Sequence, residues 1–327
     1  MGYRHLQEFI ARLEQAGELV RLKEPVSPFL TITEITDRVC KRGGPALLFE
    51  NVPGYEMPVL MNAFGSMARM SLALEVDSLD AIAAEILSFL EAEADTLMKK
   101  LQLLPKLARL GRMFPKTVSR APCQEVVYTG EQVDLAEIPV LTCWPQDGGP
   151  FITLPVVITH HPESGRRNVG MYRLQVYDAR TTGMHWHPHK GGAKHYRLAE
   201  ARGEPLPVAV AIGPDPAVTY AATAPLPEDL DEVLFAGFLR NEPVEMVPCL
   251  TQPLAVPAES QIVLEGYVAP GERRREGPFG DHTGYYSLAD EYPVFHLTAI
   301  TRLRQAIYPA TIVGRPPMED CFMAKAT

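Results

Sequence analysis

Thirty prolines, concentrated after residue 114, constrain the fold of this 327-residue chain more than any other feature. Proline fixes φ and has no backbone N–H, so a proline-dense sequence sustains neither long helices nor long central strands. The apolar runs between these prolines are short and rich in β-branched residues. The sequence therefore predicts many short strands after residue 114.

The N-terminal third has a helical pattern instead. Residues 4–16 predict an amphipathic helix that ends at Gly17 and leads into a strand. The buried face of this helix is formed by Leu6, Phe9, Ile10 and Leu13. Further helices are predicted over 77–92 and, interrupted at Pro105, over 95–114. This part is therefore predicted to be mixed α/β.

In the middle of the chain, apolar and polar residues alternate with a period of two. The runs 151–161, 168–178 and 184–188 are predicted strands, and 162–167 and 179–183 are predicted hairpin turns. A meander of this kind leads naturally into a barrel or a folded sheet. Among the later strand candidates one helix is predicted, from Glu228 to Asn241, and its inward residues are Leu230, Val233, Leu234 and Phe238.

Composition excludes several classes of protein. A net charge of −9 and a pI near 5.5 argue against nucleic acid as a main partner. No apolar run approaches the roughly 20 residues that span a bilayer, and the N-terminus lacks the apolar region of a signal peptide. The five cysteines include no CxxC pair, which predicts reduced thiols in the cytoplasm and no cysteine zinc site.

The stretch EGPFGDHTGYY, residues 276–286, concentrates acidic, aromatic and glycine residues in a turn. A surface turn would explain Gly277, Pro278 and Gly280. It would not require Glu276 and Asp281 five residues apart with two tyrosines behind them. A functional loop is the alternative, because catalytic groups favour loops that a scaffold holds.

A second polar stretch, MHWHPHKGG, contains His185, His187 and His189 at alternate positions. On a strand this spacing points three imidazoles to one face, as a zinc site would require. Pro188 disturbs a strand, however, and no HExxH or CxxC motif accompanies the histidines. The Lys190-Gly191-Gly192 turn that follows could hold a phosphate, although such turns are common on protein surfaces.

Taken in order, the motifs NxxxYR, HKGG, DEVLFAG, VLEGY, EGPFGDHTGYY and TIVGRPPMED closely resemble the UbiD family of reversible decarboxylases. The resemblance implies an N-terminal α/β domain at 1–118 and a split β-barrel flavin-binding domain at 119–314. Residues 315–327 would begin a linker to a C-terminal dimerisation region that the sequence lacks. We therefore expect a homo-oligomer for a full-length protein, and a loosely associated fragment with weak cofactor binding here. The alternative is that the last residues form a helix.

The resemblance also implies cofactors: prenylated FMN supplied by a flavin prenyltransferase, and a divalent metal, usually manganese, with potassium nearby. By motif, Asn168 and Glu232 match the metal ligands, which suits hard oxygen donors. The positions that match flavin and phosphate contacts are Met171, Tyr172, Arg173, His185, Trp186, His187, Lys190 and Gly191. Asn168 and Arg173 are five apart on one predicted strand and are expected on opposite faces.

For catalysis the resemblance implies a Glu276–Arg173–Asp281 arrangement. Two carboxylates that share one guanidinium have their pKa values pushed apart, so one can hold a proton while the other stays ionised. Asp281 is then the expected proton donor, although many family members carry Glu at this position.

The implied reaction is reversible decarboxylation of an aromatic or α,β-unsaturated acid, such as a polyprenyl-4-hydroxybenzoate or a naphthoate of quinone biosynthesis. The alternatives are a histidine-zinc enzyme without flavin and a non-catalytic flavin-binding subunit.

Overall fold

The computed structural model describes residues 2–78, 80, 82, 111–227 and 230–326. The helices predicted over 77–92 and 95–114 lie almost wholly outside these residues. The described helices are α1 (Leu6–Gln15), α2 (Thr31–Lys41), α3 (Met67–Ala73), α4 (Gly191–Ala201), α5 (Pro216–Ala221), α6 (Glu232–Arg240) and α7 (Glu319–Lys325).

The strands of the described part are short in the first half and long near the end. They are β1 (Leu19–Leu22), β2 (Ala46–Phe49), β3 (Val59–Met61), β4 (Lys116–Thr117), β5 (Val126–Thr129), β6 (Phe151–Ile152), β7 (Pro155–His160), β8 (Arg167–Met171), β9 (Leu174–Gln175), β10 (Thr181–Gly183), β11 (Leu206–Ile212), β12 (Glu245–Pro248), β13 (Ala255–Pro257), β14 (Ile262–Glu276), β15 (Phe279–Gly280), β16 (Tyr286–Ser287), β17 (Asp290–Arg302) and β18 (Tyr308–Ala310). The mixed α/β class predicted from the sequence is confirmed.

The N-terminal part folds as the sequence predicts. Helix α1 buries the four predicted apolar side chains, and the His5 ring accepts a hydrogen bond from the Glu8 N–H at 3.3 Å as its N-cap. The sheet beside it has the order β1-β2-β3-β18. Its fourth strand, β18, pairs in parallel with β3 although nearly 250 residues separate them in the chain. The division at 118/119 stays a prediction.

A seven-stranded antiparallel sheet forms the scaffold of the candidate site. Its order is β10-β17-β14-β11-β7-β8, with β5 paired to β17. The predicted hairpin between 151–161 and 168–178 is present as β7 and β8. In the described residues the end strands β10 and β8 do not pair with each other. The sheet is therefore open, and the split β-barrel that the resemblance implied is not confirmed.

Three helices differ from what the sequence patterns predicted. Helices α4 and α5 were not predicted, and α4 buries a face that includes His195 and Tyr196 rather than aliphatic residues. In α6, Val233 and Phe238 are buried as predicted, but Leu230 is 39% exposed and Phe235 lies inside instead. The Asp231 side chain accepts hydrogen bonds from the N–H groups of Val233 and Leu234 and so fixes the start of α6 at Glu232, which leaves Leu230 outside the helix.

The last described residues form α7, in which Glu319 and Met323 are buried. Within the ranges that the structure describes, no helix combines the length and apolar character required to cross a membrane.

Candidate active site

Two adjoining cavities lie at the end of β8. The first, here called the Asn168 cavity, has a volume of about 730 Å³ and is lined by Asn168, Glu232 and the start of α4. The second, the Arg173 cavity, has a volume of about 330 Å³ and is lined by Arg173, His185 and Asp281. Residues that line both are Met171, Tyr172, Lys190 and His282. Asn168 and Arg173 line different cavities, but Arg173 lies beyond the end of β8, so the two do not sit on opposite faces of one strand as predicted.

The Asn168 cavity brings the two predicted metal ligands together. Asn168 lies in β8, and Glu232 is the first residue of α6. The Glu232 carboxylate accepts a hydrogen bond from the Val169 N–H at 3.2 Å. Burial raises the pKa of Glu232 to about 7, because the ionised form loses solvation there. A partly buried carboxylate and an amide oxygen that line the same cavity are a donor set that a hard divalent cation would stabilise.

The predicted Lys190-Gly191-Gly192 turn is the N-terminus of α4, with Lys190 as its N-cap residue. A Cβ at Gly191 would lie 1.9 Å from the Asn168 Oδ1, so only glycine allows this close approach. The Gly192 N–H donates to the Tyr172 hydroxyl at 3.4 Å. The positive dipole end of an eleven-residue helix suits a phosphate. The Asn168 cavity therefore fits a metal-bound phosphate group.

Arg173, which lines its cavity, forms the predicted pair with the buried Glu276. The Oε1 of Glu276 accepts hydrogen bonds from the Arg173 Nε at 3.0 Å and from the His185 Nδ1 at 2.7 Å. The guanidinium also lies 4.3 Å from the centre of the Phe279 ring, a favourable cation–π distance. Gly277 has a φ of +91°, which lets the chain turn directly after Glu276.

Of the two carboxylates predicted to share Arg173, Glu276 is hydrogen-bonded to it, whereas Asp281 feels its charge without a hydrogen bond in the described contacts. The Asp281 Oδ1 accepts hydrogen bonds from the backbone N–H and the ring Nδ1 of His282, both at 2.8 Å. Burial raises the pKa of Asp281, but these hydrogen bonds together with the charges of His282 and Arg173 hold the pKa below its usual range. The tight turn from Asp281 to Tyr285 directs the carboxylate to its neighbour in sequence. Asp281 nevertheless lines the Arg173 cavity.

The three histidines do not share one strand face. Residues 184–187 follow β10 as irregular backbone, because the His185 N–H donates to the Arg173 carbonyl rather than to a sheet partner. His185 and His187 line the Arg173 cavity, whereas His189 lines the Asn168 cavity. Across the described ranges, no group of three or more His, Cys, Asp or Glu side chains is arranged to hold a metal. The predicted three-histidine zinc site is therefore wrong.

Trp186, between these histidines, is buried and carries an indole N–H with no hydrogen-bond partner among the described residues. Gly192 packs against it, since a Cβ there would lie 2.5 Å from the indole nitrogen. A buried unpaired donor at this position is available to a bound polar group.

Sequence reasoning missed two aromatic residues of the site. The Tyr292 ring packs on the His185 ring at 4.3 Å, and Phe279 lies under Arg173. Phe279 stands inside EGPFGDHTGYY and could have been found there. Tyr292 lies in β17, and no local signal indicated it.

Comparisons with known proteins show the family to which the chain belongs. Two family models match the chain: the 3-octaprenyl-4-hydroxybenzoate carboxy-lyase N-terminal domain over 10–86, and the Rift-related domain of the same carboxy-lyase over 116–316. An uncharacterized protein of Archaeoglobus fulgidus is 54% identical over 100% of this chain and 67% of its own length. One of Aquifex aeolicus is 50% identical over 99% of this chain and 68% of its own length.

Solved structures also match this chain over nearly its whole length. HmfF of Pelotomaculum thermopropionicum, a UbiD-class enzyme solved with prFMN, is 33% identical with a TM-score of 0.84, over 99% of this chain and 71% of that one. Vanillic acid decarboxylase of Sedimentibacter hydroxybenzoicus is 32% identical with a TM-score of 0.86, over 99% and 67%. The fold and the site thus define a carboxy-lyase. Within that class, the chain belongs to the UbiD family.

Proposed function

We propose that this chain catalyses the reversible, non-oxidative decarboxylation of an aromatic or α,β-unsaturated carboxylic acid with prenylated FMN. One observation supports this above the others: a cavity suited to a metal-bound phosphate adjoins a cavity lined by Arg173 and Asp281, and the buried Glu276 holds Arg173 from behind. The same pairing suits a flavin that spans the two cavities with its ring beside Arg173. A split β-barrel over 119–314 remains part of the proposal.

The residues proposed to hold the cofactor come from both cavities. Asn168 and Glu232 would bind Mn²⁺, with K⁺ nearby, and Lys190 and Gly191 would face the phosphate. The proposed flavin contacts are Met171, Tyr172, Arg173, His185, Trp186 and His187. When bound, prenylated FMN supplies the electron sink for loss of CO₂.

The chain's own residues bind the acid and move the proton. Arg173 would bind the substrate carboxylate, held in place by Glu276 and Phe279. Asp281 is the proposed donor, because it lines the Arg173 cavity while Glu276 is only 1% exposed. A bound anion and the exclusion of water would both favour the protonated form of Asp281, which an acid catalyst needs. Polyprenyl-4-hydroxybenzoate and naphthoate acids of quinone biosynthesis are the proposed substrates.

Substitution of the metal ligands tests the cofactor site. Asn168→Ala or Glu232→Ala should lower manganese and flavin content together, because the ion would bridge protein and phosphate. Mass spectrometry and metal analysis of protein co-expressed with a flavin prenyltransferase measure both. Glu24→Ala, at an exposed glutamate far from the cavities, is the matched control. Equal flavin content in all three variants and the parent would contradict the proposal.

A further inference from the structure

A chain of hydrogen bonds leads from the buried Glu276 to the mouth of the Arg173 cavity. The Glu276 Oε1 lies 2.7 Å from the His185 Nδ1, and the His185 Nε2 lies 3.2 Å from the His187 Nε2. Exposure increases along the chain, from 1% for Glu276 and 8% for His185 to the exposed His187. Three titratable groups in contact thus connect a buried carboxylate to solvent.

The partners determine which nitrogen carries each proton. The Glu276 Oε1 also accepts from Arg173, so this oxygen is an acceptor and the His185 Nδ1 is the donor. A neutral His185 then has a bare Nε2, which accepts from the Nε2–H of His187. The Nδ1 of His187 is left as the outer end of the chain. Every donor in this arrangement points inward, toward Glu276.

The surroundings of the two ends suit proton transfer. Burial holds the pKa of His187 below its usual range, and the charges of His185 when it is protonated, of Arg173 and of Lys190 lower it further despite Asp281, so the ring is neutral and has a nitrogen free to accept a proton. Glu276 faces Arg173, His185, Tyr177 and Tyr292. Burial raises the pKa of both tyrosines, which therefore stay neutral.

We propose that His187 and His185 carry protons between solvent and Glu276 as a carboxylate binds to, and leaves, Arg173. This proposal rests on the proposed function, in which the substrate carboxylate binds at Arg173. An arriving anion would place two carboxylates on one guanidinium, and protonation of Glu276 relieves that repulsion. Arg173 is then free to pair with the substrate.

The transfer balances one proton. Solvent protonates the Nδ1 of His187, the Nε2–H of His187 moves to the Nε2 of His185, and the Nδ1–H of His185 moves to the Oε1 of Glu276. Both imidazoles end neutral, with exchanged tautomers. When the anion leaves, the same steps in reverse return the proton to solvent and restore the starting tautomers.

Nitrogen-15 NMR of the ligand-free chain tests the relay without any turnover. The expected tautomers are Nδ1–H on His185 and Nε2–H on His187. Solvent exchange of the His185 Nδ1–H should slow by about tenfold in His187→Gln, which keeps polarity but cannot relay a proton. His296→Gln is the control. The His296 Nε2 is hydrogen-bonded to the Glu272 carboxylate at 2.6 Å, and His296 lines neither cavity. An Nε2–H tautomer on His185, or unchanged exchange in His187→Gln, would overturn the proposal.

Calorimetry tests the coupling to binding. Titration with 4-hydroxybenzoate in two buffers of different ionisation enthalpy should show uptake of about one proton near neutral pH in the parent. We expect that uptake to be lost in Glu276→Gln. Binding without proton uptake in the parent would refute the coupling. Absence of any binding would refute the proposed substrate class instead. The NMR measurement would then still show whether His187 passes protons to His185.

Discussion

The two carboxylates of the site, Glu276 and Asp281, differ mainly in their hydrogen-bond partners, because the backbone directs the two side chains to different neighbours. Glu276 ends a long strand and reaches across to Arg173 and His185, whereas Asp281 begins a tight turn and binds His282. Their five-residue spacing in EGPFGDHTGYY therefore leads to two different environments rather than to one shared guanidinium. Each environment has its own test.

Asp281→Asn tests the proposed proton donor. The amide keeps the shape and hydrogen bonding but carries no transferable proton, so decarboxylation should fall by about 10²–10⁴-fold. Flavin content should be unchanged. Asp290→Asn is the control, since Asp290 is an exposed aspartate at the start of β17. Turnover of Asp281→Asn within about threefold of the parent would show that the proton comes from another group, with Glu276 the first candidate.

Arg173→Ala tests the ion pair. It leaves the buried Glu276 carboxylate with His185 alone, and breaking a buried pair costs about 3 kcal/mol in the free energy of unfolding. Adding Glu276→Gln to the same chain should recover much of that loss, because no buried charge remains. Urea denaturation of the single and double variants measures both effects. Equal stability of Arg173→Ala and the parent would contradict a buried pair.

Among the elements, the start of α4 lines the Asn168 cavity and packs closely against Asn168. Gly191→Ala should lower metal and flavin content, because the added Cβ would meet the Asn168 Oδ1 at 1.9 Å and displace it. Gly111→Ala is the control, since a Cβ there would have nothing within 4 Å. Normal cofactor occupancy in Gly191→Ala, by absorbance and metal analysis, would show that this approach is not required.

The same helix carries a pH-sensitive residue. Burial, followed by the charges of His161 and His160, lowers the pKa of His195 to about 4, and its Nδ1 lies 2.9 Å from the Thr159 hydroxyl. Between about pH 6.5 and 4 the unfolded chain binds more protons at this position, so stability falls as the pH falls. The contribution is at most about 3 kcal/mol.

His195→Gln should remove that part of the pH dependence while it keeps a hydrogen-bonding group near Thr159. Denaturation midpoints at several pH values measure the difference, with His296→Gln as the control. A parent and a His195→Gln variant with parallel pH profiles would contradict a neutral, buried His195.

Element patterns also show how far sequence reasoning reaches. Helix α1 and the β7–β8 hairpin were predictable because their apolar residues follow one clear period. Helix α4 was not, because it begins with two glycines and buries His195 and Tyr196 in place of aliphatic residues. The Lys190-Gly191-Gly192 segment was predicted as a turn that could hold a phosphate, and the structure shows that it begins a helix, which the local pattern did not indicate.

In the whole molecule, contacts between distant segments complete the site and the sheets. Strand β18 joins the N-terminal sheet, and Tyr292 of β17 packs on His185 from more than 100 residues away. No local pattern encodes such pairings. The predicted site residues came from the resemblance of motifs to those of a family. Such motifs indicate a site only because the same distant segments come together in the family's folded proteins. The alternate spacing of the histidines, read locally, suggested a zinc site that the fold does not form.

Turnover by the co-expressed protein tests whether the chain is a decarboxylase that uses prenylated FMN. The chain, produced together with a flavin prenyltransferase and supplied with Mn²⁺, should show flavin-like absorbance bands and release CO₂ from an aromatic or α,β-unsaturated acid. It should also incorporate labelled bicarbonate into the decarboxylated product. Flavin bands without turnover on any such acid would instead indicate a non-catalytic flavin-binding chain. A colourless protein that contains zinc would contradict the account altogether.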